Sequence, residues 1–282
     1  MVTFAGTVQL SSLGLGTWRM GEDPARRPGE IAAVRQALET GWRVIDTAEM
    51  YGEGGAEEVV GAALAGAMRS GSLRRDDVFV VSKVYPHNAT ARGTVAACER
   101  SLDRLGLDHL DCYLLHWRGS VPLEVTIDAF ETLRARGRIR HWGVSNFDVD
   151  DMVELMSAPG GDGCATNQVY YSLSERGPGF ALVPWLQQHG MVTMAYSPID
   201  QGKLARNAAL RKLASKRAVT PAQLALAWLV AQPGVMAIPK AASEEHLREN
   251  LAALALTLSP ADLAELDAAF PPPRRKAPLA MI

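Results

Sequence analysis

Cysteine is scarce in this chain of 282 residues: Cys98, Cys112 and Cys164 are the only three. The number is odd and no CxxC pair occurs, so neither a disulfide framework nor a zinc ribbon is expected, and reduced thiols suit the cytoplasm. No excess of one charge is present either. Lys and Arg total 29 against 31 Asp and Glu, a formal net charge of -2. That balance excludes a general attraction for nucleic acid or anionic lipid, so any anionic ligand must be met by a local basic site. No apolar run approaches the ~20 residues that span a bilayer. Met1–Leu10 lacks the basic start and apolar core of a secretory signal. The six histidines form no HxH or HExxH, which leaves a metal-dependent hydrolase without its ligands, and no metal is expected.

What the sequence does have is alternation. Short apolar, β-branched runs predict strands at Ser12–Gly16, Arg43–Asp46, Val78–Lys83, Leu110–His116, Ile139–Ser145, Ala165–Val169, Val192–Tyr196 and Val235–Lys240. Segments of helical periodicity lie between them: Glu30–Thr40, Ala56–Arg69, Thr94–Leu105, Pro122–Ala135, Asp150–Met156, Gly179–His189, Pro221–Ala231 and Ser243–Ala252, with one more from Pro260 to Phe270. Gly41, Gly106 and Gly137 stand just past helix ends, and Pro122 stands at a helix start, the positions those residues favour. Strand–helix alternation implies parallel strands joined by crossovers, and the almost uniformly apolar strands imply a sheet covered on both faces. A GxGxxG turn is missing from the first strand–helix junction, where Gly14-x-Gly16 runs into Thr17-Trp18-Arg19. That weakens an open dinucleotide-binding sheet and favours a closed (β/α)8 TIM barrel. No proline- or glycine-rich linker divides the chain, so residues 1–282 read as a single domain.

Polar residues recur at the carboxyl ends of the predicted strands. Asp46, Lys83 and His116 end three of them; Ser145-Asn146, Asn167-Gln168, Tyr196-Ser197 and Lys240 end four more. Taken singly, Asp46 reads as a turn cap and His116 as a core histidine. In an α/β barrel all of these ends share one rim, where active sites are built.

Seven motifs occur in order: Asp46-Thr47-Ala48-x-x-Tyr51-Gly52, Val81-Ser82-Lys83, Leu114-Leu115-His116-Trp117, Gly143-Val144-Ser145-Asn146-Phe147, Asn167-Gln168, Ala195-Tyr196-Ser197-Pro198 and Ile238-Pro239-Lys240. From about Gly14 to Asn250 the chain resembles the aldo-keto reductase family, and its compact connections resemble the bacterial members. The resemblance implies NADPH-dependent reduction of aldehydes or small ketones, with Asp46, Tyr51, Lys83 and His116 as the catalytic four. Tyr51 is then the proton donor. A free tyrosine has a pKa of ~10, and a neighbouring ammonium lowers it, so Lys83, held by Asp46, is expected to tune Tyr51 downward. His116 orients the carbonyl and shares its developing negative charge with Tyr51.

On the coenzyme side the resemblance puts Ser145, Asn146 and Gln168 on the nicotinamide carboxamide. It stacks Tyr196 on the ring beside Ser197, with Thr17 and Trp18 lining the same end. Lys240 meets the 2′-phosphate that separates NADPH from NADH, and Glu249 and Asn250 meet the adenine. His246 stands where many members carry arginine. Lys240 and Arg248 keep that end basic, so NADPH is expected and use of NADH stays open. Trp18, Tyr85, His116 and Trp117 wall the substrate cavity in this reading. The expected partner is a small carbonyl compound, with no nucleic acid and no membrane, and the expected state is a monomer or weak homo-oligomer. The alternative carried by the same resemblance is a catalytically weak, nicotinamide-binding regulatory subunit on the same barrel.

Overall fold

The computed structural model describes all 282 residues. Eight parallel strands form one sheet in sequential order: β3 (Leu15–Gly16), β4 (Val44–Asp46), β5 (Phe79–Val84), β6 (Leu110–Leu115), β7 (Ile139–Ser145), β8 (Cys164–Tyr170), β9 (Val192–Tyr196) and β10 (Val235–Ile238). The sheet closes on itself where the chain before β3 meets β10. Ala237 bonds both flanks of Leu13 across this seam, its carbonyl accepting from Gly14 N–H and its N–H donating to the Ser12 carbonyl, and Gly16 N–H donates to the Pro239 carbonyl. The (β/α)8 barrel read from the sequence is therefore the fold.

Helices clothe the barrel: α1 (Arg27–Glu39), α2 (Gly55–Arg69), α3 (Ala91–Leu105), α4 (Leu123–Ala135), α5 (Val149–Ser157) and α6 (Leu182–Gln188) follow β3 to β8 in turn. Three helices, α7 (Lys203–Arg206), α8 (Ala208–Lys216) and α9 (Pro221–Val230), fill the connection from β9 to β10, and α10 (Glu244–Ala252) and α11 (Pro260–Ala269) end the series. Local chemistry sets several starts. Thr220 and Gln223 form a capping box around Pro221, and Ser259 and Asp262 form another around Pro260, each satisfying backbone groups that the first turn leaves unpaired. None of the helices is long and apolar enough to cross a membrane.

Side-chain alternation along the strands divides the core in two. Val44, Val81, Cys112, Leu114, Ala165, Val192, Met194, Met236 and Ile238 belong to the small cluster inside the barrel. Ile45, Val80, Tyr113, Leu115, Val144, Val169, Ala195 and Ala237 belong to the large cluster under the helices.

Three features depart from the expected elements. The first strand shrinks from Ser12–Gly16 to Leu15–Gly16, with Leu13 held to Ala237 by an isolated bridge. An unexpected antiparallel hairpin, β1 (Val2–Phe4) and β2 (Val8–Leu10), sends Val2, Phe4 and Leu10 into the inner cluster. The stretch between β9 and α9, for which no helix was expected, carries α7 and α8.

Candidate active site

The two-residue period of a strand carries the inner face upward to the rim. Asp46 follows inward Val44, Lys83 follows Val81, His116 follows Leu114, Tyr196 follows Met194 and Lys240 follows Ile238, each by two positions. Gln168 breaks that parity, since Ala165 faces inward three residues earlier. The pairing of β7 with β8 slips by one residue between Trp142 and Val144, so that Ser145 lies opposite Gln168. One extra residue in β8 is the kind of bulge that re-aims a side chain, and it turns Gln168 toward the barrel axis.

At the centre lies a buried ion pair. Lys83 Nζ donates to Asp46 Oδ2 at 2.8 Å, to the Thr47 carbonyl at 3.0 Å and to Tyr51 Oη at 3.0 Å. The two charged side chains are 0% and 3% exposed. An ammonium has three hydrogens, and all three are engaged. Tyr51 Oη therefore accepts from the lysine, which leaves the phenol's own proton to point elsewhere. Asp46 Oδ1 accepts from Gln168 Nε2 at 2.7 Å, so both carboxylate oxygens are occupied. The His116 ring stands edge-on to Tyr51, with centroids 5.7 Å apart.

Burial dominates the proton affinities here. It raises Tyr51 above its ordinary value of 10.0, and the charge and hydrogen bond of Lys83 oppose that shift without reversing it. Lys83 thus acts on Tyr51 in the expected downward direction, while burial of the phenol acts against it and is the larger of the two. Burial works against the charge on Lys83 too, but the Asp46 charge and the hydrogen bonds outweigh it and leave the lysine raised. Burial, reinforced by Lys83, holds His116 well below 6.5, so its imidazole is neutral at pH 7.

The Tyr51 turn is held from outside. Gly52 and Glu53 have φ of 58° and 51°. Behind this turn, Gly21 (φ 74°) meets Gly55 so closely that a Cβ built on Gly21 would lie 2.1 Å from the Gly55 carbonyl carbon. Gly21 N–H is fixed in turn by the buried carboxylate of Glu30 at 2.8 Å.

A cavity of about 680 Å³ opens above the pair. It brings together Trp18, Asp46, Tyr51, His116, Trp117, Ser145, Asn146, Gln168, Tyr196, Ser197 and Lys240. Ser145 Oγ donates to the Gln168 carbonyl at 2.9 Å, Asn146 Nδ2 to the His116 carbonyl at 3.2 Å, and Tyr196 Oη to Asn146 Oδ1 at 2.9 Å. Lys240 is half-buried, and desolvation lowers its pKa.

Other expected residues lie outside this lining. Lys83 sits wholly behind the floor, and Thr17 is buried with its hydroxyl on the Asp46 carbonyl at 2.9 Å. Tyr85 packs edge-on against Trp117 at 5.9 Å, beside His87. His246, Glu249 and Asn250 sit on α10; His246 is exposed and Asn250 is buried. Several lining residues escaped the sequence reading: Arg19, Met50, Ile199, Gln201, Met281 and Ile282. Arg19, next to Trp18 at a strand end, carried a signal. The last two did not, because only tertiary packing returns the tail to the rim. No group of three or more His, Cys, Asp or Glu side chains is placed to hold a metal.

Comparison with known proteins settles the lineage. The sequence model of the aldo/keto reductase family matches residues 12–270. The chain belongs to the aldo/keto reductase family. The methylglyoxal reductase YeaE of Escherichia coli is 50% identical over 287 residues, covering 100% of this chain and 99% of that protein. The glyoxal reductase of Bacillus subtilis is 35% identical, covering 84% of this chain and 82% of its own. Among solved structures, an aldo/keto reductase from Klebsiella pneumoniae in complex with NADP and acetate superposes with a TM-score of 0.94 at 50% identity, covering 100% of this chain and 99% of that one. As a member of the family, the chain is an oxidoreductase of carbonyl compounds.

Proposed function

We propose that this chain reduces small aldehydes, 2-oxoaldehydes such as methylglyoxal foremost, with NADPH as coenzyme. The observation that carries the reading is the saturated lysine: all three hydrogens of Lys83 are engaged, one of them by Tyr51 Oη, so the phenol keeps its proton for an acceptor in the cavity.

The cavity suits the coenzyme in its donor set. The Ser145 hydroxyl and the Asn146 and Gln168 amides offer donors and acceptors to a carboxamide, the Tyr196 ring offers a stacking face, and Lys240 with Arg19 gives the same cavity a cationic wall for phosphate. NADPH, when bound, supplies a hydride to the carbonyl carbon. Tyr51 gives its proton to the carbonyl oxygen and is re-protonated from solvent after the alcohol leaves. Lys83 stabilises the transient phenolate, and Asp46 keeps the lysine charged and aimed. Neutral His116 donates a hydrogen bond to the same oxygen, so negative charge that develops there meets two fixed donors. Trp18 and Trp117 line the cavity around the substrate, and Tyr85 backs Trp117. Arg118 is bidentate to Glu154, and the two cations that line the cavity, Arg19 and Lys240, are taken by coenzyme phosphate in this placement, which favours neutral aldehydes. The relatives named for methylglyoxal and glyoxal point the same way. Three unpaired cysteines suit a reducing compartment, and we place the enzyme in the cytoplasm.

The test is loss of NADPH absorbance with methylglyoxal, aromatic aldehydes and aldoses. Tyr51→Phe is expected to lower kcat by about 10²–10⁴-fold while NADPH still binds. Absence of turnover with every aldehyde in the wild-type enzyme would overturn the proposal.

A further inference from the structure

Tyr170, at the end of β8, is not one of the motif residues, yet it touches two parts of the cavity wall. It pairs in register with Tyr196 on β9, and the two rings stack with centroids 5.8 Å apart and planes 16° from parallel. Its hydroxyl donates to Asp200 Oδ1 at 2.7 Å. Asp200 belongs to the segment Ser197–Gly202, which lines the cavity through Ser197, Pro198, Ile199, Gln201 and Gly202.

That segment has an unusual backbone. Ser197, Asp200 and Gln201 have φ of 47°, 48° and 50°, and Gly202 has 85°. Three side chains with a Cβ in the left-handed region persist only where the surroundings hold them. The holding group is the Asp200 carboxylate. Oδ1 takes the Tyr170 hydroxyl, and Ser174 Oγ donates to Oδ2 at 3.2 Å. Lys203 adds a longer contact at 3.4 Å, and Asp200 N–H closes back on the Ser197 carbonyl at 2.8 Å. Tyr170 is 8% exposed and the Asp200 side chain 13%, so the bond between them is partly buried. A hydrogen bond to a charged acceptor in such a place is among the stronger kinds.

We propose that Tyr170 is a positioning residue for coenzyme binding, a latch whose ring backs Tyr196 and whose hydroxyl pins the Ser197–Gly202 segment through Asp200. It rests on the coenzyme placement proposed above. The two actions fix one ring and one loop on the same cavity wall. Coenzyme that occupies the cavity meets a surface ordered in advance, and leaving it requires no break in the latch. Without the hydroxyl, the left-handed segment relaxes, and coenzyme must order it on binding. The cost then falls on affinity and on residence time.

NADPH binding is read by quenching of protein fluorescence, and release by stopped-flow displacement with NADP+. Tyr170→Phe keeps the ring and removes only the bond. It is expected to raise the NADPH Kd by about tenfold, mainly through faster release. The KM for NADPH should rise with it, while the aldehyde KM does not follow. Asp200→Ala should give the same change, and the double variant should be no worse than either single one. Tyr170→Leu, which loses the stack as well, should bind more weakly still. A Kd for Tyr170→Phe within about twofold of wild type, or additive effects of the two single variants, overturns the latch. So does a drop in thermal stability with binding unchanged. Lys240→Met separates this proposal from its premise. If Lys240→Met weakens NADPH binding and Tyr170→Phe does not, the latch alone fails. If Lys240→Met binds NADPH like wild type, the coenzyme placement fails and the latch falls with it.

Discussion

Lys83 shows how much of this site is decided by single side chains. An ammonium and a carboxylate removed from water carry a large desolvation cost, which they recover only through mutual contact and full hydrogen bonding. Lys83→Met would strand the Asp46 carboxylate with the Gln168 amide as its one side-chain partner. Breaking a buried pair from one side costs about 3–5 kcal/mol. Denaturant unfolding of Lys83→Met should show a loss of that order, and adding Asp46→Asn should recover part of the stability and none of the activity. Recovery of neither would mean that packing, not charge, holds this position. The histidines make a second residue-scale case. His109, His116 and His141 all lie below the ordinary 6.5, with burial the first cause in each. Just below pH 6.5 the unfolded chain takes up protons on them that the native fold refuses. The unfolded state then binds more protons, so stability rises with pH through that window and falls as pH drops through 6.5. Tm should therefore decline on acidification from pH 7, and His116→Gln should flatten the slope. An unchanged slope would place the acid sensitivity in other groups.

At the scale of elements, what was legible followed from burial. Barrel strands are covered on both faces, so β4 to β10 stood out as apolar runs, and their polar ends stood out against them. The helices announced themselves through periodicity and through ends marked by glycine, proline and capping residues. Elements that owe their existence to tertiary contacts gave no such signal. The β1–β2 hairpin has strands of three residues each, too short for a period to register, and it is held by what it covers. Helix α7 has four residues and is defined by its packing near α9. The slip between β7 and β8 that turns Gln168 inward leaves no trace in residue types, because Asn167 and Gln168 are equally polar. The candidate site divides in the same way. Its residues could be named from motifs, but not the balance of forces on Tyr51, which depends on how deeply the phenol is buried. The contact between Gly21 and Gly55 is of this kind too: both glycines are visible in the sequence, and their meeting is not.

The whole molecule assigns different tasks to its two ends. The carboxyl ends of the strands carry the cavity. The opposite end is closed by the β1–β2 hairpin, where the Phe4 ring is 1% exposed and lies edge-on to Phe79 and His141 at 5.0 and 5.6 Å. Phe4 does not line the cavity, and in barrels of this type positions at that end serve stability. Phe4→Ala should therefore cost about 3–5 kcal/mol and leave the NADPH Kd and the aldehyde KM at wild-type values in the fraction that stays folded. Met281 is the converse case. It lines the cavity and is 54% exposed, so little core depends on it, and Met281→Ala should change the aldehyde KM with no measurable change in Tm. Thermal melts and steady-state kinetics on the two variants test the division together. A Phe4→Ala enzyme with altered KM would show that the hairpin communicates with the rim through the inner cluster of the barrel, in which case the barrel interior is a mechanical link between its ends and not merely the filling that separates them.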